Sequence, residues 1–224
     1  MPGAGLRQKG SAHRKPARTK SAARTKNTKR PLARRVRSLP DEQADRRAAI
    51  TEAVLQLAEE GGYDRIQLRA VSKRSGVAMR TIYKYFGSRE ALITSAMTEW
   101  RTQNLRKAMA AGKGDDFIDR YLSILHYSFN VFRAKPKLWE TLARMQQEGQ
   151  PLDQGIEIDA ALMRQAFKDV DETFFREFER LIGSLFYSSM MFSVFGKYSF
   201  DEAWSHIERT VRRFARSYPY TNLR

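Results

Sequence analysis

Residues 68–92 read LRAVSKRSGVAMRTIYKYFGSREAL, a short helix, a glycine turn and a second helix that is basic and aromatic. The spacing predicts that the first helix buries Leu68 and Val71, with Ser72 small enough for the second helix to cross closely over it. Gly76 supplies the tight turn, and Val77 and Ile82 fall where they pack the second helix back onto the first. Arg80, Thr81, Tyr83, Lys84 and Tyr85 are left for the outer surface. From Arg65 to Arg89 there are seven Lys or Arg and no Asp or Glu, so that surface attracts phosphate throughout. The pattern is that of a helix-turn-helix with DNA-contact chemistry. A helix-turn-helix used only for packing against protein leaves the basic surface without a purpose.

Within this stretch, TIYKYFGSREAL resembles the end of the recognition helix and the start of the next helix in TetR-type bacterial repressors. There a Thr-x-Tyr-x-x-Phe run is followed by Ser-Lys or Ser-Arg, a charge and Leu. The upstream helix ending at Gly61-Gly62-Tyr63, Arg69 early in the next helix, and the total length agree with it. The likeness covers residues 45 to 100. Arg89 stands where the family usually has Lys, and Gln67 where a capping Thr is common. The resemblance implies that Arg69 and Arg80 read base edges, since a guanidinium grips guanine through two hydrogen bonds. It assigns Thr81, Tyr83, Lys84, Tyr85 and Arg89 to phosphate and groove contacts, and Met79 or Thr81 to a thymine methyl. One or two of these side chains are expected to pack against the neighbouring helix instead. The segments KPKLWETLARM (135–145) and IQLRAV (66–71) also resemble actinobacterial repressors of cholesterol catabolism. That second likeness implies a bulky hydrophobic effector, steroid-derived or a fatty acyl coenzyme A thioester.

With 42% hydrophobic residues, only 7 Pro and 13 Gly in 224, and no alternating strand segments beyond short runs, the chain reads as all-α. Its 224 residues can bury a sizeable core, and the resemblance to TetR-like proteins, which split such a length into a small DNA-binding head and a larger ligand-binding body, implies two packed units. The absence of cysteine excludes disulfides, thiolate metal ligands and a Cys nucleophile, and fits a reducing cytoplasm, the expected localisation. No run of about 18 uninterrupted apolar residues occurs, so no membrane span is expected. His13, His126 and His206 lie far apart and make no metal-ligand spacing, and no nucleophile motif or phosphate-cradling glycine loop is present. Neither enzyme activity nor a cofactor is expected.

The net charge of +16 is unevenly placed. Residues 1–37 hold 13 of the 41 Lys and Arg and no acid, leaving 28 cations against all 25 acids, a balance of +3, for the remainder. Residues 1–40 mix those cations with Ala, Ser, Thr, Gly and Pro, have few large apolar groups, and are expected to be a disordered basic tail. Such an arm binds phosphate without reading sequence, or enters a minor groove. Taken alone it would suit an architectural nucleic-acid-binding protein, a reading that leaves the apolar body unused.

The remaining chain divides into a DNA-binding head over residues 41–87, a ligand-binding and dimerisation body over 88–218, and a short end at 219–224. Pro40-Asp41 supplies a break and an N-cap for a first helix to Glu60, with Ile50, Ala53, Val54, Leu57 and Ala58 on one face. Ser88 caps a long helix to Ala111; others are expected from Asp115 to the Lys135-Pro136 break, from Pro136 to Gly149, over 153–169 and over 171–195, with a last helix starting at Ser199. Any single aromatic here is expected to be core. A pocket is nevertheless assigned to Phe117, Tyr121, Leu125, His126, Trp139, Met145, Met163, Phe167 and Phe178, with Arg144, Gln146 and Ser188 as further polar helpers. In TetR-like proteins the last two helices pair with their symmetry mates, which implies a homodimer through Phe186, Met190, Trp204, Ile207, Val211 and Phe214. The implied partners are a double-stranded DNA operator, a hydrophobic small-molecule effector and a second copy of the chain.

Overall fold

A computed structural model describes residues 39–149 and 153–217. Among these, nine α-helices run in order: α1 (Leu39–Gly61), α2 (Leu68–Ser75), α3 (Met79–Phe86), α4 (Arg89–Ala111), α5 (Phe117–Ala134), α6 (Pro136–Gln147), α7 (Asp153–Ala166), α8 (Glu172–Val194) and α9 (Phe200–Ser217). A single 3-10 turn, Tyr63–Arg65, lies between α1 and α2. No strand occurs among the described residues.

The helix ends follow local chemistry. Ser88 Oγ accepts from Ala91 N at 3.0 Å, Asp116 from Asp119 N at 2.8 Å and Asp171 from Phe174 N at 2.9 Å, each satisfying an orphan N–H of a first turn. Before α9, Ser199 Oγ accepts from Glu202 N while the Glu202 carboxylate accepts from Ser199 N, a reciprocal capping box. Pro136 takes the first turn of α6, where its missing N–H costs nothing. The same reasoning corrects the start of α1. The helix begins at Leu39, so Pro40 lies in its first turn and does not break it.

Helices α1 to α3 make the head and α4 to α9 the body. The two do not have separate interiors: Ile50, Val54, Leu57 and Ile82 belong to the same continuous core as Trp100, Leu138 and Phe178. This follows from α1, which packs against both α4 and α6 in the body as well as against α2. Arg47 donates to Ser95 Oγ at 3.0 Å, and Lys135 pairs with Glu59 at the other end of α1. Helix α9 packs on α5 and α8, with Arg212 Nη1 2.7 Å from Asp119 of α5. The expected disordered tail over 1–40 is corrected at its end, since residues 39 and 40 already belong to α1; the rest of that expectation, and the one for 219–224, lie outside the described residues.

Candidate nucleic-acid interface

The turn between α2 and α3 is built from short polar side chains and one left-handed residue. Gly76 has φ 69° and ψ 9°, a conformation that costs an L-residue with a Cβ. Ser72 Oγ donates to the Val77 carbonyl at 2.8 Å, and Ser75 Oγ accepts from Val77 N at 3.2 Å. Val71 and Ile82 are buried beneath the turn, with Leu68 and Val77 partly buried beside them. Helix α3 is capped by Ala78, whose side chain offers no acceptor, so the positive end of its dipole is unopposed by any capping group.

Of the assigned contact residues, Arg69, Arg80, Tyr83 and Lys84 are exposed, while Met79, Thr81, Tyr85 and Arg89 are half-buried. Thr81 lines an open cleft of about 380 Å³ with Gly76 and Ala78, opposite Asp45, Arg46 and Ala49 of α1. Tyr85 packs against the core edge-on to Phe86. Arg89 departs furthest from a phosphate contact. Its Nε donates to the Ile66 carbonyl at 2.6 Å and its Nη2 to the Tyr63 carbonyl at 2.7 Å, with the guanidinium over the Tyr63 ring at 4.4 Å. The side chain is turned inward onto the bend after α1, where the Tyr63 carbonyl also accepts from Ile66 N at 3.2 Å and has a second lone pair to offer. Arg74 is likewise engaged, 2.5 Å from Glu60, whose carboxyl that pairing holds below the usual range. Arg46, in the cleft beside Thr81, was not singled out by the sequence pattern because it belongs to a different helix.

In the body, the assigned pocket residues fall into two groups. Phe117 meets Tyr121, Phe167 and Phe178 with ring centroids 5.7, 5.0 and 5.2 Å apart, and Tyr121 meets Phe178 at 4.9 Å. Trp139 belongs to another set, with Phe132 at 4.8 Å, Tyr187 at 5.4 Å and Phe186 at 6.1 Å. Met145 and Met163 are buried and Leu125 is partly so. The polar helpers require correction. His126 is exposed and lies against Trp204 at 4.3 Å, Gln146 is exposed, and Arg144 is exposed and paired with Glu148 at 2.8 Å. Gln146 and Arg144 flank buried Met145, and a step of one residue turns a side chain about 100° around the helix. Ser188 donates back to the Ser184 carbonyl of its own helix at 3.0 Å.

The polar groups that do enter the body were not assigned from sequence. Arg101 Nε of α4 lies 2.6 Å from Asp159 Oδ2 of α7, and Thr102 Oγ1 donates to Asp159 Oδ1 at 3.1 Å. Burial pushes the Asp159 carboxyl upward against the opposing pull of Arg101. Glu179 of α8 is pushed up to about 7, first by burial and then by the Asp159 charge. The Tyr121 hydroxyl is also raised, by burial and then by Glu179. A readable signal existed: Asp159 falls four residues before Met163 and Glu179 four after Phe175, in phase with buried positions.

The dimer residues need a similar correction. Met190, Ile207 and Val211 are fully buried within their own chain. Phe186, Trp204 and Phe214 are half-buried, against Phe129, Phe129 and Phe178 respectively. Period 3.6 marks a buried face without saying what buries it. The unassigned face of α8 carries Leu181 (43% exposed), Leu185, Ser188, Phe192 (40%) and then Phe195 (67%), at alternating steps of four and three.

Residues 50–96 match the family model described as bacterial regulatory proteins, tetR family. The chain is 34% identical over 105 residues to the HTH-type transcriptional repressor KstR of Rhodococcus jostii, covering 46% of this chain and 48% of that one. To the KstR of Mycolicibacterium smegmatis it is 44% identical over 103 residues, covering 46% and 50%. The chain thus spans about half the length of the curated relatives it matches. Among solved structures, a TetR transcriptional regulator from Rhodococcus sp. RHA1 superposes with a TM-score of 0.67 at 22% identity, over 82% of this chain and all of that one. The fatty acid degradation regulator FadR of Bacillus halodurans superposes with a TM-score of 0.57 at 18% identity, over 74% and 94%. These two share the fold. Residues 50–96 thus carry a TetR-type helix-turn-helix domain, and the chain resembles the KstR repressors over about half of their length.

Proposed function

We propose that the protein is a homodimeric, cytoplasmic transcriptional repressor that binds operator DNA and is released from it by a hydrophobic small molecule. The carrying observation is the surface of α2 and α3, where Arg69, Lys73, Arg80 and Lys84 stand exposed in a stretch with no acid and beside an uncapped helix start. Such a surface attracts phosphate, and two arginines on it have the donor geometry for guanine. That the matched relatives are named HTH-type transcriptional repressors supports repression as the direction of control. Their likeness, and the resemblance of residues 135–145 to cholesterol-catabolism repressors, favours a steroid-derived or acyl thioester effector. The aromatic body supports an apolar ligand of that kind. The protein performs no chemical step in this reading.

Release is a coupling between two sites. An effector that binds one arrangement of the heads better than another lowers operator affinity by that difference, and operator DNA weakens effector binding equally. Helix α4 is suited to carry it, since Arg89 at its start clasps the head while Arg101 and Thr102 hold α7 through Asp159. Removing residues 1–37 tests the reading against an architectural role for the basic tail. A repressor keeps its preferred site, with a weaker salt dependence, whereas loss of all DNA affinity on truncation would leave the tail as the binding element and refute it.

A further inference from the structure

Among the described residues, four buried side-chain nitrogen or oxygen atoms lack a hydrogen-bond partner: Thr94 Oγ1, Arg101 Nε and Nη2, and Trp139 Nε1. The first three have other recourse. Thr94 is only half-buried, and the Arg101 charge is answered by Asp159 at 2.6 Å. Trp139 is different. It is 5% exposed, its Nε1 is a donor only, and a rigid ring holds the N–H in place. Its close neighbours are the rings of Phe132, Phe186 and Tyr187. An aromatic face is a poor substitute for an oxygen acceptor, and a Phe would fill much of this space without stranding a donor.

We infer that Trp139 Nε1 is the polar anchor of the effector site, donating to a neutral carbonyl or hydroxyl oxygen on an otherwise apolar molecule lodged among Phe132, Phe186 and Tyr187. The acceptor is neutral because these rings offer no countercharge, and a carboxylate or phosphate placed among them would lose its water without a partner. The position also suits signalling. Trp139 lies on α6, which borders α1 of the head and holds it at the Lys135–Glu59 pair. This inference rests on the reading that the body takes an effector.

Two matched pairs of probes test it on the full-length protein: 1-tetralone against tetralin, and 2-undecanone against undecane. In at least one pair the ketone should bind roughly tenfold more tightly than its hydrocarbon, and Trp139→Phe should abolish that preference. The indole proton of Trp139, labelled with nitrogen-15, should move downfield with the ketone and not with the hydrocarbon. That titration of the unaltered protein decides the matter alone if Trp139→Phe does not fold. Absence of binding by both ketones, equal binding within each pair, or a preference that survives in Trp139→Phe overturns the inference. A protein that holds its operator, and is released by a compound that leaves this proton unmoved, keeps the repressor reading and loses only the anchor.

Discussion

Arg89 joins the start of α4 to the turn after α1 by donating to the Tyr63 and Ile66 carbonyls while lying over the Tyr63 ring. Its replacement by Ala should cost about 1–3 kcal/mol in urea unfolding, because two carbonyls lose charge-assisted donors and a cation–π contact goes with them. Arg80 is exposed, and Arg80→Ala should leave that unfolding curve unchanged while relaxing base preference by about 1–3 kcal/mol at one position of the operator. Quantitative binding to single-base operator variants checks the second outcome. A motif and affinity unaltered by Arg80→Ala would remove it from base reading. Glu179 gives a pH signature. Its folded carboxyl is pushed up to about 7 by burial and by Asp159, so the folded state holds a proton that the unfolded chain releases near the ordinary 4.5. Stability should therefore fall as pH rises from about 4.5 to about 7 and level off above. Glu179→Gln should raise the melting temperature at pH 8 by more than at pH 5, and an equal change at both would contradict the assignment. The sequence placed Arg80 on the outside correctly but put His126 and Gln146 toward a pocket, because one-residue steps around a helix exceed what an apolar count resolves.

At the level of elements, the helix-turn-helix was legible because its signals are local: the Gly76 turn, the small Ser72, and the spacing of Val71, Val77 and Ile82 all act within a dozen residues, while the bond from Ser72 Oγ to the Val77 carbonyl was not read from them. Gly76→Ala should destabilise by about 1–2 kcal/mol through backbone conformation alone, since an added Cβ meets nothing within 4 Å. Thermal or urea unfolding measures it. Helix α8 was legible as a helix but not in its facing. It is apolar on two sides, and the sequence does not say that Met190 turns inward while Leu181, Phe192 and Phe195 remain outside. The exposed stripe is the better candidate for the proposed subunit contact. Phe192→Glu should then shift sedimentation toward the monomer while Met190→Ala, at a fully buried position, should lower stability by about 2–5 kcal/mol.

At the scale of the whole molecule, the sequence indicated a head and a body but not that they share one core, since contacts from α1 to α6 join residues some 76 positions apart. That shared core is the route by which the proposed effector would act on the head. Under the proposed function two such heads on one dimer read DNA by sequence, and selection of bound duplexes from a random pool by the full-length protein is the decisive measurement. An inverted repeat should be enriched, with half-sites about 34 Å apart, one turn of the duplex, so that two copies of α3 enter successive major grooves on one side. Recovery of no enriched sequence, or of isolated half-sites without symmetry, would contradict it.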